Sequence, residues 1–307
     1  MERNIFDIRY VRLYISLQML RDCIVPKHKV SAIRGGIGEM LLRANCIRDR
    51  NCEVCDFESE CLVQRTLYSK FEEKPDFVSS GDSVGYVLEC EDLRQEMRQG
   101  DLLNFQMTLF GKTIVYFSQF IQALYALGQA GLGKEQAQFD IYLIRNEEKE
   151  GILWQQNIYM ERCKPKMLSS YVEKRVQAFQ GRFDIRLNFY SPLTQKYQGS
   201  FLQDFSPEPI LRSIQRRVYV LDCFEGIDGE EAYNRFLPQP VLLRQDSRLV
   251  QVPRYSTRKD QKVILRGIIG NMLIGDIPEE ILPYLAAGEI LHIGKNTSFG
   301  FGGYELS

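Results

Sequence analysis

Residues 8–17 alternate apolar and polar, with Val11, Leu13, Ile15 and Leu17 on one side and Arg12, Tyr14 and Ser16 on the other. A repeat of two marks a strand with a buried face. Past Pro26 the repeat lengthens: Ile33, Ile37, Met40 and Leu41 recur at helical spacing between Val30 and Arg43. Gly35, Gly36 and Gly38 interrupt this helix at a cost. Three of them predict that another backbone comes close there. The same reading gives a strand at 102–110 and an apolar helix at 113–128 through Tyr116, Phe120 and Leu124. Gly128, Gly131 and Gly133 stop that helix, and strands follow at 137–146 and 153–160.

The second half repeats the rhythm. A helix is predicted at 170–179, and Phe183, Ile185, Leu187 and Phe189 alternate in a strand at 182–190. Pro207 and Pro209 open a helix that runs to about Phe224. Strands are expected at 240–252 and 262–274. Pro278 begins a short helix, and 289–293 with 300–306 read as a closing hairpin. A β-α-β rhythm run twice fits an α+β chain of two tandem ferredoxin-like (RRM-like) domains better than one doubly wound sheet. The first domain is expected at 1–160, with a cysteine-rich insertion at about 45–65. The second is expected at 161–307 and ends in a glycine-rich loop.

The chain has 307 residues, 44% of them apolar, so each half can bury a core. A net charge of −1 excludes a uniformly basic nucleic-acid coat but permits a local basic groove. No apolar run approaches the ~20 residues of a membrane span, and the first residues lack the shape of a signal peptide. A cytoplasmic protein without a membrane partner is expected. There are only two histidines, His28 and His292, so acid–base chemistry by imidazole has few candidates.

Four features can carry chemistry. The first is Gly294-Lys295-Asn296-Thr297-Ser298-Phe299-Gly300-Phe301-Gly302-Gly303. Bare backbone amides there can form an anion-binding concavity, Lys295 adds charge, and Phe299 and Phe301 can stack on bases. The competing reading is a glycine-rich hairpin with its phenylalanines in the core. The second is Cys46-x5-Cys52-x2-Cys55-x5-Cys61. Four thiols this close suit a structural tetrahedral zinc site; an iron–sulfur cluster, a redox disulfide pair and plain thiols are the alternatives. The third is Arg34-Gly35-Gly36 early in the first helix, with Lys27, His28 and Lys29 before it; it suits either phosphate or tight packing. The fourth is the basic excess at Arg244, Arg248, Arg254, Arg258, Lys259, Lys262 and Arg266, with Tyr255 among them. It reads as an RNA groove or as an ordinary charged hairpin face.

In order along the chain stand Ser31-Ala32-Ile33-Arg34-Gly35-Gly36-Ile37-Gly38, the cysteines, Leu109-Phe110-Gly111, Gly128-x2-Gly131-Leu132-Gly133, Tyr255-Ser256-x-Arg258 and His292-Ile293-Gly294-Lys295-Asn296-Thr297-Ser298-Phe299-Gly300-Phe301-Gly302. This order resembles the CRISPR-associated endoribonucleases that process precursor CRISPR RNA, the sixth Cas family, within the RAMP superfamily. The resemblance implies two ferredoxin-like domains. It also implies cleavage of repeat RNA, single-stranded or hairpin, without a catalytic metal, leaving a 2′,3′-cyclic phosphate and a 5′-hydroxyl. Other CRISPR-associated effector subunits are implied as partners. The alternative is a non-catalytic RAMP subunit that holds guide RNA. On the resemblance, His28 or His292 is the acid–base residue and Lys295 the stabilising cation. RNA contacts are expected from Arg34, Arg254, Arg258, Gly294, Lys295, Asn296, Thr297, Ser298, Gly300 and Gly302. Similar sequences carry histidine near the position of Glu39, and this chain departs from them there.

Overall fold

The computed structural model describes residues 4–50, 52–69, 71, 75–78, 83–146, 152–155, 158–159, 163–256 and 261–307. The alternating opening segment is strand β1 (Arg9–Met19), and the glycine-interrupted segment is helix α1 (Lys29–Asn45). Then come β2 (Tyr86–Glu89), β3 (Leu102–Phe110), α2 (Phe117–Ala130), β4 (Phe139–Asn146) and β5 (Ile152–Gln155). In the first sheet the strands run β2-β3-β1-β4-β5, with neighbouring strands antiparallel. Ile15 stands opposite Phe105 on β3 and Ile144 on β4, so β1 is the central strand and its apolar side faces the helices. A β-α-β-β-α-β chain whose first and third strands are neighbours is the ferredoxin-like arrangement.

The second half does the same with α3 (Leu168–Phe179) in front of it. Its elements are β6 (Asp184–Leu193), α4 (Pro207–Glu225), β7 (Val241–Ser256), β8 (Gln261–Gly275), α5 (Leu282–Leu291) and β9 (Glu305–Leu306). The sheet order is β7-β8-β6-β9. Strands β7 and β8 stay paired from Val241–Gly275 out to Ser256–Gln261, a ribbon much longer than the sheet that anchors it. Leu187, Ile214, Met272, Leu285 and Leu291 are buried together between this sheet and its helices.

Two expectations change. Residues 289–293 belong to a helix and its cap, and only 305–306 pair as a strand, with Leu306 opposite Leu187. Helix α5 is buried nearly all round, from Leu282 to Leu291, so its sequence shows no polar face from which a helical period can be read. The glycines of α1 admit side chains rather than a backbone. A Cβ on Gly36 would meet the Leu127 methyls of α2 at 2.5 Å, one on Gly38 would meet Leu67, and Gly35 faces open space. Among the described residues, no helix is long and apolar enough to cross a membrane.

Candidate nucleic-acid interface

The glycine-rich loop 294–303 lies where the two halves meet, and its glycines press on neighbouring backbone. Gly294 (φ +80°) sits against the Thr194 carbonyl of the loop after β6, and Gly300 (φ +79°) against the Leu88 carbonyl of β2. A side chain at either position would collide with a carbonyl as well as meet the positive φ. Val30, in the first turn of α1, also faces Gly300. The loop thereby touches β2 and α1 of the first half and β6 of the second.

That packing uses the loop's amides. The N–H of Gly294 donates to Ser213 Oγ (2.9 Å), and that of Lys295 to the Thr194 carbonyl (2.7 Å). Gly300 N–H donates to Thr297 O (2.8 Å), and Gly302 N–H to Pro192 O (2.9 Å). In this structure the backbone donor of each of these four residues already has an acceptor. Thr297 and Ser298 are buried, as is Phe301, which is a core residue rather than a base platform. Asn296 takes the left-handed conformation (φ +65°) and is half-buried, while the Lys295 side chain is exposed.

Phe299 has a different setting. The guanidinium of Arg34, on α1, lies 4.3 Å from its ring centroid, and that of Arg254, on β7, lies 4.6 Å from it. Arg34 Nη2 also donates to Ser83 Oγ at 2.8 Å. Burial, then the charge of Arg34, pushes the Arg254 pKa down. Thus three segments expected separately to bind RNA meet at one ring. Arg244, Arg248, Lys262 and Arg266 line the ribbon and are exposed. Arg258 lies outside the described residues.

The two histidines sit in unlike places. His28 is the N-cap residue of α1, half-buried, and its ring does not cap the helix. Burial, followed by the charges of Lys27 and Lys29, pushes its pKa down. Lys29 is no loop cation: it is 1% exposed, and its Nζ donates to the carbonyls of Asp92 (2.8 Å) and Arg94 (2.5 Å).

His292 is fully buried. It caps the end of α5 at φ +54°, a conformation rare outside glycine. Its Nδ1 meets the Phe301 carbonyl at 2.9 Å, and its Nε2 lies 3.2 Å from Glu89 Oε1 at the end of β2. Tyr190 of β6 donates to the same carboxylate oxygen at 2.8 Å. Burial alone would raise the Glu89 carboxyl; His292, Arg12 and Tyr190 override it and hold it down at about 2. Gly303 makes room, since a Cβ there would meet the rings of both His292 and Tyr190. His292 is thus walled off from solvent in this structure. Glu89 and Tyr190 were not foreseen; a glutamate ending a buried strand gives no sign of its partner across a domain boundary. Another buried link crosses the same boundary: Arg217 of α4 donates to the carbonyls of Leu291 (3.0 Å) and Val84 (2.9 Å).

Glu39, on α1, is held by Arg43 (2.7 Å) and Arg50 (3.0 Å). Of the cysteines, Cys46 caps the end of α1 and Cys61 starts a short helix, Leu62–Leu67. All four are free thiols. Burial raises the Cys52 pKa; a Gln64 hydrogen bond opposes this, and Cys61, Cys46 and Cys55 each add to the rise. Among the described residues, no three His, Cys, Asp or Glu side chains are gathered closely enough to hold a metal ion.

Comparison with known proteins bears on this geometry directly. A family model described as CRISPR-associated endoribonuclease Cas6 matches residues 187–304, from β6 through the glycine-rich loop. The second half of the chain, through the glycine-rich loop, thus matches the Cas6 family. A second model, described as an N-terminal domain, matches residues 8–170. An uncharacterized protein of Archaeoglobus fulgidus is 22% identical over 286 residues, 92% of each chain. A Cas6 product complex superposes with a TM-score of 0.56 at 14% identity, over 97% of this chain and 99% of that one. Thermus thermophilus Cas6 gives 0.51 at 12% identity, over 98% and 99%. A partial Cas6-RT-Cas1–Cas2 complex gives 0.57 at 13% identity over 98% of this chain, which spans only 46% of that longer one. These likenesses establish the Cas6 fold, two ferredoxin-like domains in tandem.

Proposed function

We propose that this chain cleaves CRISPR repeat RNA within precursor transcripts. The family match through the glycine-rich loop carries this reading, and the meeting of Arg34, Phe299 and Arg254 supplies a place for the RNA backbone. The reaction is transesterification. The 2′-oxygen attacks the adjacent phosphorus as its proton leaves, the P–O5′ bond breaks, and the products are a 2′,3′-cyclic phosphate and a 5′-hydroxyl. His28 is the general base: it is half-open, and its lowered pKa keeps the ring neutral and able to accept the 2′-proton near pH 7. The Lys295 ammonium offsets the negative charge on the phosphorane, and the departing 5′-oxygen takes its proton from solvent. The chemistry needs no metal. Repeat RNA incubated with the protein in EDTA should be cut, and the upstream fragment should resist a phosphatase that removes only monoesters. Salt-sensitive binding without cleavage would make the chain a guide-RNA-holding RAMP subunit instead.

A structural zinc at Cys46, Cys52, Cys55 and Cys61 belongs to the same proposal. Its support is the C-x2-C knuckle and the close spacing of the four cysteines along the chain. Metal analysis of anaerobically purified protein should return about one zinc per chain; a value near zero removes the metal from the proposal.

A further inference from the structure

Six arginines among the described residues meet a carboxylate. Arg9 pairs with Glu225, Arg43 and Arg50 with Glu39, Arg48 with Asp56, Arg94 with Asp92 and Arg175 with Glu289. Arg34 and Arg254 instead both meet the ring of Phe299. Their guanidinium carbons lie 4.3 and 4.6 Å from one ring centroid, hence no more than about 9 Å apart, within roughly a Debye length at 0.1 M salt. Among the described residues neither pairs with a carboxylate. The Nε of each is buried and makes no hydrogen bond. Two like charges, partly desolvated and with idle donors, are costly unless an anion joins them. Guanidinium forks suit the tetrahedral oxygens of a phosphodiester better than those of any other common biological anion that must be held without a metal.

Phe299 is then a spacer. Cation–π contact holds the two forks at a fixed separation, and the guanidiniums occupy the ring surface that a stacking base would need. The three residues come from different elements. Arg34 is on the helix that His28 opens, Phe299 on the glycine-rich loop, and Arg254 near the outer end of the β7–β8 ribbon. An anion bound here joins all three.

We propose that Arg34 and Arg254, spaced by Phe299, form a two-guanidinium socket for a single phosphodiester, and that filling it fixes the β7–β8 ribbon to helix α1. As a site for RNA it rests on the repeat-RNA reading above; as an anion socket it does not. The socket makes RNA binding at one phosphate a condition for aligning the His28 end of α1, so its loss affects cleavage as well as affinity.

The test uses full-length protein and repeat RNAs in which one phosphate at a time is replaced by an uncharged methylphosphonate. Binding is followed by anisotropy over a KCl series. Arg34→Gln and Arg254→Gln should each weaken binding about tenfold. The double variant should reduce the magnitude of the salt slope by about one. Wild type should show one methylphosphonate position that is costly and that the double variant no longer senses. Arg254→Lys should recover the salt slope but not the affinity, because it restores charge without the fork; it also separates loss of the socket from loss of folding, which circular dichroism checks. Arg244→Gln, on the same ribbon, should keep the sensitive position. A double variant with the wild-type slope and wild-type methylphosphonate profile overturns the socket while leaving cleavage intact. Should wild type not bind RNA at all, thermal stabilisation by inorganic phosphate decides: present in wild type and absent in the double variant keeps the anion socket, and equal in both overturns it.

Discussion

The two histidines sit in unlike surroundings and teach opposite lessons. His292 is fully enclosed, with an acceptor at each ring nitrogen and a carboxylate whose every neighbour stabilises its charge. His28 is half-open, flanked by lysines, with no hydrogen bond or ion pair among the described residues. The buried ring has the better geometry and the poorer access. Full satisfaction fixes the ring against the Phe301 carbonyl and Glu89, and so joins the glycine-rich loop to β2 across the domain boundary. The open ring has idle donors and acceptors, which is what proton transfer to a substrate needs. On the proposed reading, the fully bonded ring holds the structure together and the open ring takes the proton.

The sharpest way to break this contrast is to exchange the roles. His28→Ala should lower single-turnover cleavage by about 10²- to 10⁴-fold, the usual worth of a general base, with repeat-RNA affinity unchanged in a binding assay. Cleavage at the wild-type rate would remove His28 from the mechanism. Glu89→Gln should cost about 3–5 kcal/mol in urea unfolding, the penalty for removing the buried carboxylate that His292, Arg12 and Tyr190 stabilise, while the protein that remains folded still cleaves. An equal loss of cleavage in fully folded protein would return the His292 cluster to the chemistry.

A smaller effect is expected from Tyr190→Phe. It removes one donor to a buried carboxylate and should cost about 1.5–3 kcal/mol by the same measurement. The pH dependence of stability follows from Glu89. Its carboxyl lies at about 2 when folded against an ordinary value of 4.5. The unfolded chain therefore binds the proton more readily below pH 4.5, and this contribution is complete above that pH and lost progressively as pH falls toward 2. Glu89→Gln should remove the slope across this window. The smallest effect concerns Lys27, which lowers the His28 pKa. Lys27→Gln should move the acid limb of kcat/KM to higher pH, since a ring with one fewer neighbouring cation holds its proton longer. An unmoved limb would mean that another group sets it.

Most of the fold was legible because its elements are amphipathic. Strand β1 and helix α1 each bury one face and wet the other, so their periods stand in the sequence. The helix begun at Pro278 was legible, but the end of α5 was misread because the helix buries nearly every face. The site was legible only as separate fragments. Arg34, Arg254 and the glycine-rich loop each carried a local signal of charge or bare backbone, and all three meet at Phe299. Their joint geometry had no local signal, because Arg34 stands near one end of the chain and Arg254 and Phe299 toward the other.

The loop shows where the division lies. From the sequence alone came its glycines, its lysine, its place at the end of a second β-α-β-β-α-β unit and its likeness to one family. Local backbone preference and hydrophobic period are encoded within a few residues of where they act, so a sequence displays them. The tertiary structure decided what the loop does with those residues. Strand β6, the segment after it and Ser213 of α4 accept from its amides, Glu89 encloses its neighbouring histidine, and two distant arginines claim Phe299. Which donors remain free for RNA depends on partners brought together only by packing the two halves, and no local pattern records that.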